Sequence, residues 1–333
     1  MSLNKRHGIT LILSLIFLLF IFLLSVSLGG VSLSLSEVIN GLLYSDGYEK
    51  QSIIIYSLRM PRIMGALLSG AALSNAGLML QQATGNDLCA PNIIGVNAGA
   101  GLFVIILLCF APSMYILLPF SAFIGAFTAT LTVILISKLT KSTSSRVTLI
   151  LSGIAVSAFF NSAISFFSYL FPDVLLSYTS FTTGSLSGVY KKDIIIPAII
   201  IIICSLLSFL LSPKLKLLCL GDSMAASLGV NVKLIRIFAF LLASALCAAS
   251  VSFGGLISFV GLIVPHMAKK VTSADSPYLT PICIITGASA LLLSDLIGRT
   301  LFAPSELPCG IITSAIGAPF FIVLLCRRRG THA

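Results

Sequence analysis

The feature of this sequence that most constrains its fold is a series of long apolar runs separated by short polar segments. A helix that crosses a membrane needs roughly 20 apolar residues. Only 9% of the 333 residues are charged and 57% are hydrophobic, whereas a soluble domain carries about 25% charged residues. The sequence therefore predicts an all-α polytopic membrane protein, a compact bundle of about ten transmembrane helices that forms a single domain over residues 1–333. The predicted spans are about 9–28, 63–83, 93–111, 115–137, 147–170, 193–212, 233–252, 256–270, 279–297 and 308–326.

The positions of Lys and Arg predict how the spans are oriented. If the spans alternate sides, most basic residues fall on the side of both termini, and basic and acidic residues nearly balance on the other side. By the positive-inside rule the basic side is the cytoplasm, so we expect both termini inside and residues 32–57 outside. The basic excess is thus a topological signal, and it indicates no nucleic-acid partner.

Two points of topology stay open at this stage. The run at 256–270 is short and contains Pro265, so it is either a full span or a re-entrant segment. Spans two to five begin outside and spans seven to ten begin inside, which is the order expected of an inverted repeat.

One polar break, residues 217–233, has the pattern of a single short helix. Asp222 or Ser223 can cap its first turn, and Gly229 is placed to end it in a left-handed conformation. Lys214, Lys216, Lys233 and Arg236 flank the break, which predicts that it faces the cytoplasm. A short helix presented there is either a docking element for a soluble partner or an ordinary connecting loop.

Three arginines break the positive-inside pattern. Arg59 and Arg62 lie around Pro61 at the predicted start of span two, and Arg299 lies at the outer end of span nine. Guanidinium groups bind carboxylates in a bidentate fork, so the three predict an external site for carboxylates. The alternatives are lipid headgroups or the nearby acids Asp295 and Glu306.

Two predicted spans carry small or polar stripes. In span two, Ala66, Gly70 and Ser74 form one small-residue ridge, and Ala72 with Ala76 forms another, which predicts close packing against neighbouring helices. In span five, Gly153, Ser157 and Asn161 recur at intervals of four, with Ser165 and Ser168 near the same face. Such a polar stripe lines an aqueous path or bonds a neighbouring helix.

Several classes of function lack the residues they would need. No charged residue lies near the middle of a predicted span, which argues against an ion-coupled secondary carrier. The sequence has no P-loop motif, so an active transporter built on this chain would be driven by another polypeptide. The eight cysteines and three histidines are scattered, so we assign no metal, no cofactor and no catalytic residue, and a membrane-embedded transferase is disfavoured.

Five motifs in order resemble the FecCD-type permeases, the membrane subunits of ABC importers for iron-siderophores, haem and cobalamin. They are Arg59-Met60-Pro61-Arg62, the segment 86–100, the segment 220–230, Gly261–His266, and Glu306-Leu307-Pro308 with Gly317–Phe320. The resemblance covers nearly the whole chain. It departs at Asp87-Leu88-Cys89, where the family more often has Pro-Leu followed by a small residue.

The resemblance implies a multi-pass permease in the cytoplasmic membrane of a bacterium, in contact with membrane lipids. Its implied partners are two cytoplasmic ABC ATPase subunits, an external substrate-binding protein and a second permease, identical or paralogous. It further implies that residues matching Arg59, Arg62 and Arg299 pair with acids of the binding protein, that Gly153, Ser157 and Asn161 border the translocation path, and that His266 is structural. The segment that would engage the ATPase contains Gly221, Asp222, Ser223, Ala225, Ala226, Leu228 and Gly229.

The function expected from residues and resemblance together is the permease subunit of a binding-protein-dependent ABC importer, with iron(III)-siderophore uptake as the favoured transport reaction. Haem or cobalamin import by the same architecture is the alternative, and an ion-coupled carrier is the weaker one.

Overall fold

The computed structural model describes residues 3–29, 33–43, 47–139, 145–273 and 276–329. Within these ranges every regular element is a helix and no strand occurs. Three residues that contribute to the predicted charge distribution, Asp46, Lys141 and Asp275, lie outside the described residues.

The helices follow one another with short connections. Their bounds are α1 Leu3–Ser27, α2 Leu35–Leu42, α3 Glu49–Ile53, α4 Met60–Thr84, α5 Val96–Phe110, α6 Leu118–Leu139, α7 Ser145–Leu170, α8 Leu175–Thr183, α9 Lys191–Cys219, α10 Asp222–Ser227, α11 Val232–Gly254, α12 Val260–Thr272, α13 Leu279–Thr300 and α14 Cys309–Arg329. A π-helical stretch, Ile54–Arg59, joins α3 to α4, and short 3-10 turns precede α5, α6 and α8.

In the described part of the chain, seven helices are long and apolar enough to cross a membrane. They coincide with seven of the ten predicted spans, and the protein is a multi-pass membrane protein. The other three predicted spans fall on α5 and α12, which have 15 and 13 residues, and on α14, whose apolar part is the shorter stretch Cys309–Leu324. The count of ten crossings therefore remains a prediction.

Helix α4 lies at the centre of the bundle. In the most apolar stretch of the continuous helical run Glu49–Thr84, which contains α4, 78% of residues are buried, against 22% in that of α1. A Cβ atom at Gly70 would overlap the backbone of Gly287 in α13, and one at Gly77 would overlap Gly261 in α12. Ala66, Ala72, Ser74 and Ala76 are also fully buried. The predicted close packing of the small-residue ridges is confirmed, because the helix backbones approach one another where side chains are small.

The predicted span at 256–270 begins four residues late, because the chain after α11 is irregular. Gly255 has φ +67° and Phe259 has φ +65°, so neither continues a right-handed helix. Phe259 packs against Gly317 of α14, where a Cβ atom would overlap the ring. In the middle of α12, the rings of His266 and Phe320 meet edge to face at 6.1 Å, which agrees with a structural role for His266.

Three places where a helix ends or begins meet at this irregular segment. The Leu256 amide donates to the Phe181 carbonyl (3.2 Å), and the Gly310 amide donates to the Gly184 carbonyl (2.9 Å). These bonds connect the end of α8, the segment after α11 and the start of α14. Irregular backbone inside a membrane domain is tolerated where protein encloses it or where it lines a cavity. A cavity of about 630 Å³ adjoins this junction, lined in part by Tyr115, Phe181, Ser185, Ser187 and Ser252.

Candidate functional site

The residues singled out in the sequence lie mainly at the two ends of α4. Arg62 is in the first turn of this helix and Ala83 is in its last turn. At 1.5 Å per residue they are about 30 Å apart, which is the thickness of a bilayer core. The bundle thus has an Arg62 end and an Ala83 end, and each presents a distinct site.

The site at the Arg62 end is a group of five charged residues that we name the arginine cluster: Arg59, Arg62, Asp295, Arg299 and Glu306. The Arg62 Nε donates to both carboxylate oxygens of Asp295 (2.9 and 3.0 Å), and its Nη1 donates to Glu306 Oε2 (2.6 Å). Asp295 is 1% exposed, and Arg299 Nε lies 3.5 Å from its second oxygen. A buried carboxylate is tolerable when cations pair with it. Pairing with Asp295 and Glu306, one of the alternatives for these arginines, is confirmed for Arg62.

Arg59 and Arg299 also close the end of α1. Arg59 Nη1 donates to the carbonyls of Val26 and Ser27, the latter at 2.9 Å, and Arg299 Nη2 donates to the carbonyl of Ser25 at 2.8 Å. These carbonyls lie in the last turn of α1, where no intrahelical donor remains for them. Cations are also favoured at that end of a helix dipole. The two arginines therefore attach α1 to the π-helical stretch before α4 and to α13.

The arginines do not form an open cationic patch. Arg59, Arg62 and Arg299 are 6%, 9% and 3% exposed. The accessible member is Glu306, whose side chain is 35% exposed and also accepts a bond from Ser187 Oγ at 3.3 Å. Any partner that approaches this end meets Glu306 before it meets a guanidinium group.

At the opposite end, residues 221–229 form the predicted short helix. Gly221 has φ +110° and Gly229 has φ +81°, and α10 lies between them. The Gly229 amide donates to the Ala226 carbonyl and the Val230 amide to the Ala225 carbonyl, both at 3.0 Å. This is the Schellman pattern that a left-handed glycine permits, so the predicted end at Gly229 is confirmed. The predicted start is wrong by one residue, since Gly221 occupies the N-cap position rather than Asp222 or Ser223.

Asp222 instead fixes α10 to the bundle. Arg236 Nη2 donates to Asp222 Oδ1 at 2.9 Å, and Arg236 Nε donates to the Ala83 carbonyl at 2.9 Å. Arg236 is 1% exposed and belongs to α11. One guanidinium group therefore joins the start of α10, the end of α4 and α11. The sequence offered Arg236 only as a topological charge.

The two faces of α10 differ. Ala225 is fully buried against the bundle, whereas Met224 and Leu228 are 55% and 57% exposed. These two are four residues apart and so lie on one side of the helical turn. Of the residues expected to engage an ATPase, Ser223, Ala226, Leu228 and Gly229 are exposed. Met224 was missed, although its spacing from Leu228 is the signal that could have identified it.

A second ionic contact lies at the Ala83 end. Lys269 Nζ, in α12, donates to Gln81 Oε1 and to Asp87 Oδ1, both at 2.8 Å. Asp87 is the residue that departs from the family pattern, and its carboxylate gives the turn after α4 a contact with α12. The neighbouring Cys89 is buried, which raises the pKa of its thiol to about 11.

The polar stripe of α7 has two parts. Gly153 is buried beside Gly95, and Ser157 Oγ donates to the Gly153 carbonyl at 2.7 Å, so this half packs against the turn before α5. Asn161 and Ser165 are exposed on the side of the bundle. An amide on an outward helical face is unfavourable against lipid. The outward half is therefore suited to water or to another chain.

Comparison with known proteins supplies the context for both ends. Residues 17–327 match the model of the FecCD transport family. The chain belongs to this family. It is 35% identical over 323 residues to the Fe(3+)-citrate import system permease protein YfmE of Bacillus subtilis (strain 168), covering 97% of this chain and 96% of that protein. It is 37% identical over 282 residues to the Fe(3+) dicitrate transport system permease protein FecD of Escherichia coli (strain K12), covering 83% and 86%.

A solved structure has the same fold. It is an inward-facing conformation of a transporter assigned to the metal-chelate ABC type, with a TM-score of 0.85, 30% identity, and coverage of 95% of this chain and 98% of that one. The FecCD family consists of permease components of ABC transporters, in which ATP hydrolysis resides on a separate subunit. This FecCD chain is accordingly a permease subunit of an ABC importer. Membership implies an ATPase, a substrate-binding protein and a second permease as partners.

Proposed function

We propose that this FecCD permease carries an iron(III) chelate of the siderophore or citrate class across the bacterial cytoplasmic membrane. The observation that supports this most strongly is similarity over nearly the full chain to permeases named for iron(III)-citrate import. The binding protein selects the chelate, and the permease supplies the path.

The proposed orientation has both termini and residues 221–229 in the cytoplasm and the arginine cluster outside. Lys216, Arg236 and Lys269 near the Ala83 end support it, because cytoplasmic ends of membrane helices are enriched in basic residues. In this proposal α5, α12 and α14 complete ten crossings in a single membrane domain. Spans two to five and seven to ten then form an inverted repeat.

At the cytoplasmic side, the ATPase grips the exposed face of α10. Met224, Ala226 and Leu228 supply apolar contact area, and Gly221 and Gly229 set the geometry of the two ends of the segment. Movement of α10 reaches α4 through Asp222 and Arg236, because one buried guanidinium group contacts both elements. Ala225 supports this transmission from the inward face.

At the outer side, acidic residues of the binding protein dock at the arginine cluster. Arg62 is the proposed carboxylate receptor because its Nη1 faces the accessible Glu306. Arg59 and Arg299 contribute positive charge and keep the end of α1 in place.

The path runs along the outward half of α7 against a second permease copy, identical or paralogous. Asn161 and Ser165, exposed together on the side of the bundle, support this placement, and Gly153 with Ser157 holds the helix against the turn at Gly95. Alternating access then opens the path first to the binding protein and then to the cytoplasm.

The test is transport by vesicles that contain this permease assembled with the ATPase and the second permease of its transporter. We expect ⁵⁵Fe(III)-citrate or ⁵⁵Fe(III)-siderophore to accumulate when ATP is enclosed with the ATPase and the loaded binding protein is present on the opposite face. Uptake that needs no ATP, or no uptake of any iron chelate, would contradict the proposal.

A further inference from the structure

Glu306 has a combination of contacts that a simple structural acid does not need. Of the two acids that pair with Arg62, Glu306 is the more exposed. Its contact is nevertheless the shorter one, with 2.6 Å between Arg62 Nη1 and Glu306 Oε2. Asp295 holds the Nε of the same guanidinium group from a fully enclosed position. One carboxylate on Arg62 is thus fixed by burial, and the other can leave into water.

The formal charge of the cluster is positive. It contains three guanidinium groups and two carboxylates, so the five residues together attract an acidic surface. A cation buried in a protein is favoured when an acid pairs with it. An acidic side chain arriving from outside therefore gains most if it adds to the cluster or exchanges with its accessible acid.

Burial decides between adding and exchanging. The Arg62 side chain is only 11% exposed, with Asp295 on its inner side and Glu306 on its outer side. An incoming carboxylate reaches the Nη1 of Arg62 only by moving Glu306.

We infer that Glu306 is a displaceable carboxylate, which occupies on Arg62 the position that an acidic side chain of the external binding protein takes when it docks. The inference rests on the proposed docking at the arginine cluster and names the step by which that docking proceeds. The partner is an acidic surface of the binding protein, and docking replaces one carboxylate on Arg62 by another.

The exchange also has a route into the bundle. Glu306 accepts a hydrogen bond from Ser187, and Ser187 lines the cavity where the ends of the three helices meet. The Gly310 amide bonds the Gly184 carbonyl four residues beyond Glu306. When Glu306 leaves Arg62, its hydrogen bond with Ser187 is lost and the exposed segment 301–306 is released. Docking therefore changes the contacts of a residue in the cavity wall.

The test is the affinity of the transporter's external binding protein for the assembled transporter in nanodiscs, measured without ATP. Glu306→Gln keeps the shape of the side chain but removes its charge, so it competes less well for Arg62. We expect docking to tighten about threefold, in line with the strength of a partly exposed ion pair. Unchanged or weaker docking would overturn the inference.

Glu37→Gln is the matched control. Glu37 is a partly exposed acid at the same end, and its carboxylate accepts bonds from Ser34 in the capping box of α2. The variant removes the same surface charge without touching the arginine cluster. An effect of Glu306→Gln no larger than that of Glu37→Gln would mean that general surface charge accounts for it, and would overturn the inference.

A double-mutant cycle separates this inference from the docking proposal. Arg62→Lys keeps a charge in the cluster but removes the fork, and its membrane insertion is checked by yield and size-exclusion profile. If Arg62→Lys weakens docking and abolishes the effect of Glu306→Gln, both ideas stand. If it weakens docking while Glu306→Gln has no effect in either background, the displacement step fails alone. If it leaves docking unchanged, the role of Arg62 in docking fails and the inference fails with it.

Discussion

The two ends of α4 both hold an arginine against an acid, but they leave different parts exposed. At the Arg62 end all three guanidinium groups are buried, Asp295 is enclosed, and two of the arginines also close the end of α1. At the Ala83 end a single buried Arg236 holds the base of α10, and the outer face of that helix stands clear with apolar residues on it. The difference indicates that the charges of the first end can be reached only after side chains move, whereas the outer face of α10 is accessible without rearrangement.

The largest effect expected from this comparison is loss of stability at the enclosed end. Asp295→Ala leaves Arg62 and Arg299 without their buried partner, and breaking a buried pair in this way costs about 3 kcal/mol or more. The thermal unfolding midpoint of the purified transporter in detergent should fall clearly.

Glu306→Ala is the comparison for that variant, because it removes an acid from the same cluster at a partly exposed position. It should lower stability by about 1 kcal/mol or less. Equal losses for the two variants would show that the cluster is not divided into a fixed and a displaceable acid.

The next largest effect concerns the presented surface of α10. Leu228→Asp places a charge in the proposed contact with the ATPase, and loss of such a contact costs about 2 kcal/mol, or roughly 30-fold in affinity. Titration of the purified ATPase against the permease should register the loss.

Phe302→Asp supplies the control at the other end, since Phe302 is 58% exposed and Leu228 is 57% exposed. Association with the ATPase should be unaffected by it. A similar loss with Phe302→Asp would mean that the effect is a general consequence of adding surface charge.

A smaller effect is expected in the link between α10 and α4. Asp222→Ala leaves the surface of α10 intact but removes its bond to Arg236. Substitutions along a coupling route change coupling by up to about 2 kcal/mol, so the ATP hydrolysed per chelate transported should rise about tenfold. An unchanged ratio of ATP hydrolysed to chelate transported would contradict the proposed coupling through Arg236.

The smallest effect is expected for the second ionic contact at the Ala83 end. Asp87→Asn loses its charge interaction with Lys269, but the Asp87 side chain is 40% exposed and exposed pairs contribute little. Stability should change by about 0.5 kcal/mol or less, measured by the same thermal unfolding experiment. A loss as large as that of Asp295→Ala would erase the contrast between the enclosed and the open end.

The sequence predicted those features that depend on neighbouring residues. Apolar runs predict the membrane spans because the thickness of the bilayer sets the length of a spanning helix. Gly229 reports the end of α10 because a left-handed residue there favours glycine. The ridges of α4 report close packing because small side chains permit it whatever helix lies opposite. The short helices α2 and α8 escaped notice because each has too few residues to show a period.

The sequence could not predict features that depend on distant residues. Arg62 and Asp295 are 233 positions apart, and nothing local distinguishes a guanidinium group that faces water from one that faces a buried acid. Ala225 and Ala226 are chemically identical neighbours, yet one is enclosed and the other exposed, because the packing of α10 on the bundle decides which face turns inward. Arg236 was interpreted only as a charge that marks the cytoplasmic side, because its contacts with Asp222 and Ala83 depend on how the helices pack.

The central claim is that the two ends of α4 lie on opposite sides of the membrane, with α10 on the side of the ATPase. The direct measurement is labelling of intact cells and of lysed cells with a membrane-impermeant maleimide, using Ser223→Cys and Ser305→Cys in turn. Cys219 and Cys326, the exposed natural cysteines, are first replaced by serine, while Cys89 stays as a buried thiol. We expect Ser305→Cys to react in intact cells and Ser223→Cys to react only after lysis. Reaction of Ser223→Cys in intact cells would contradict the account.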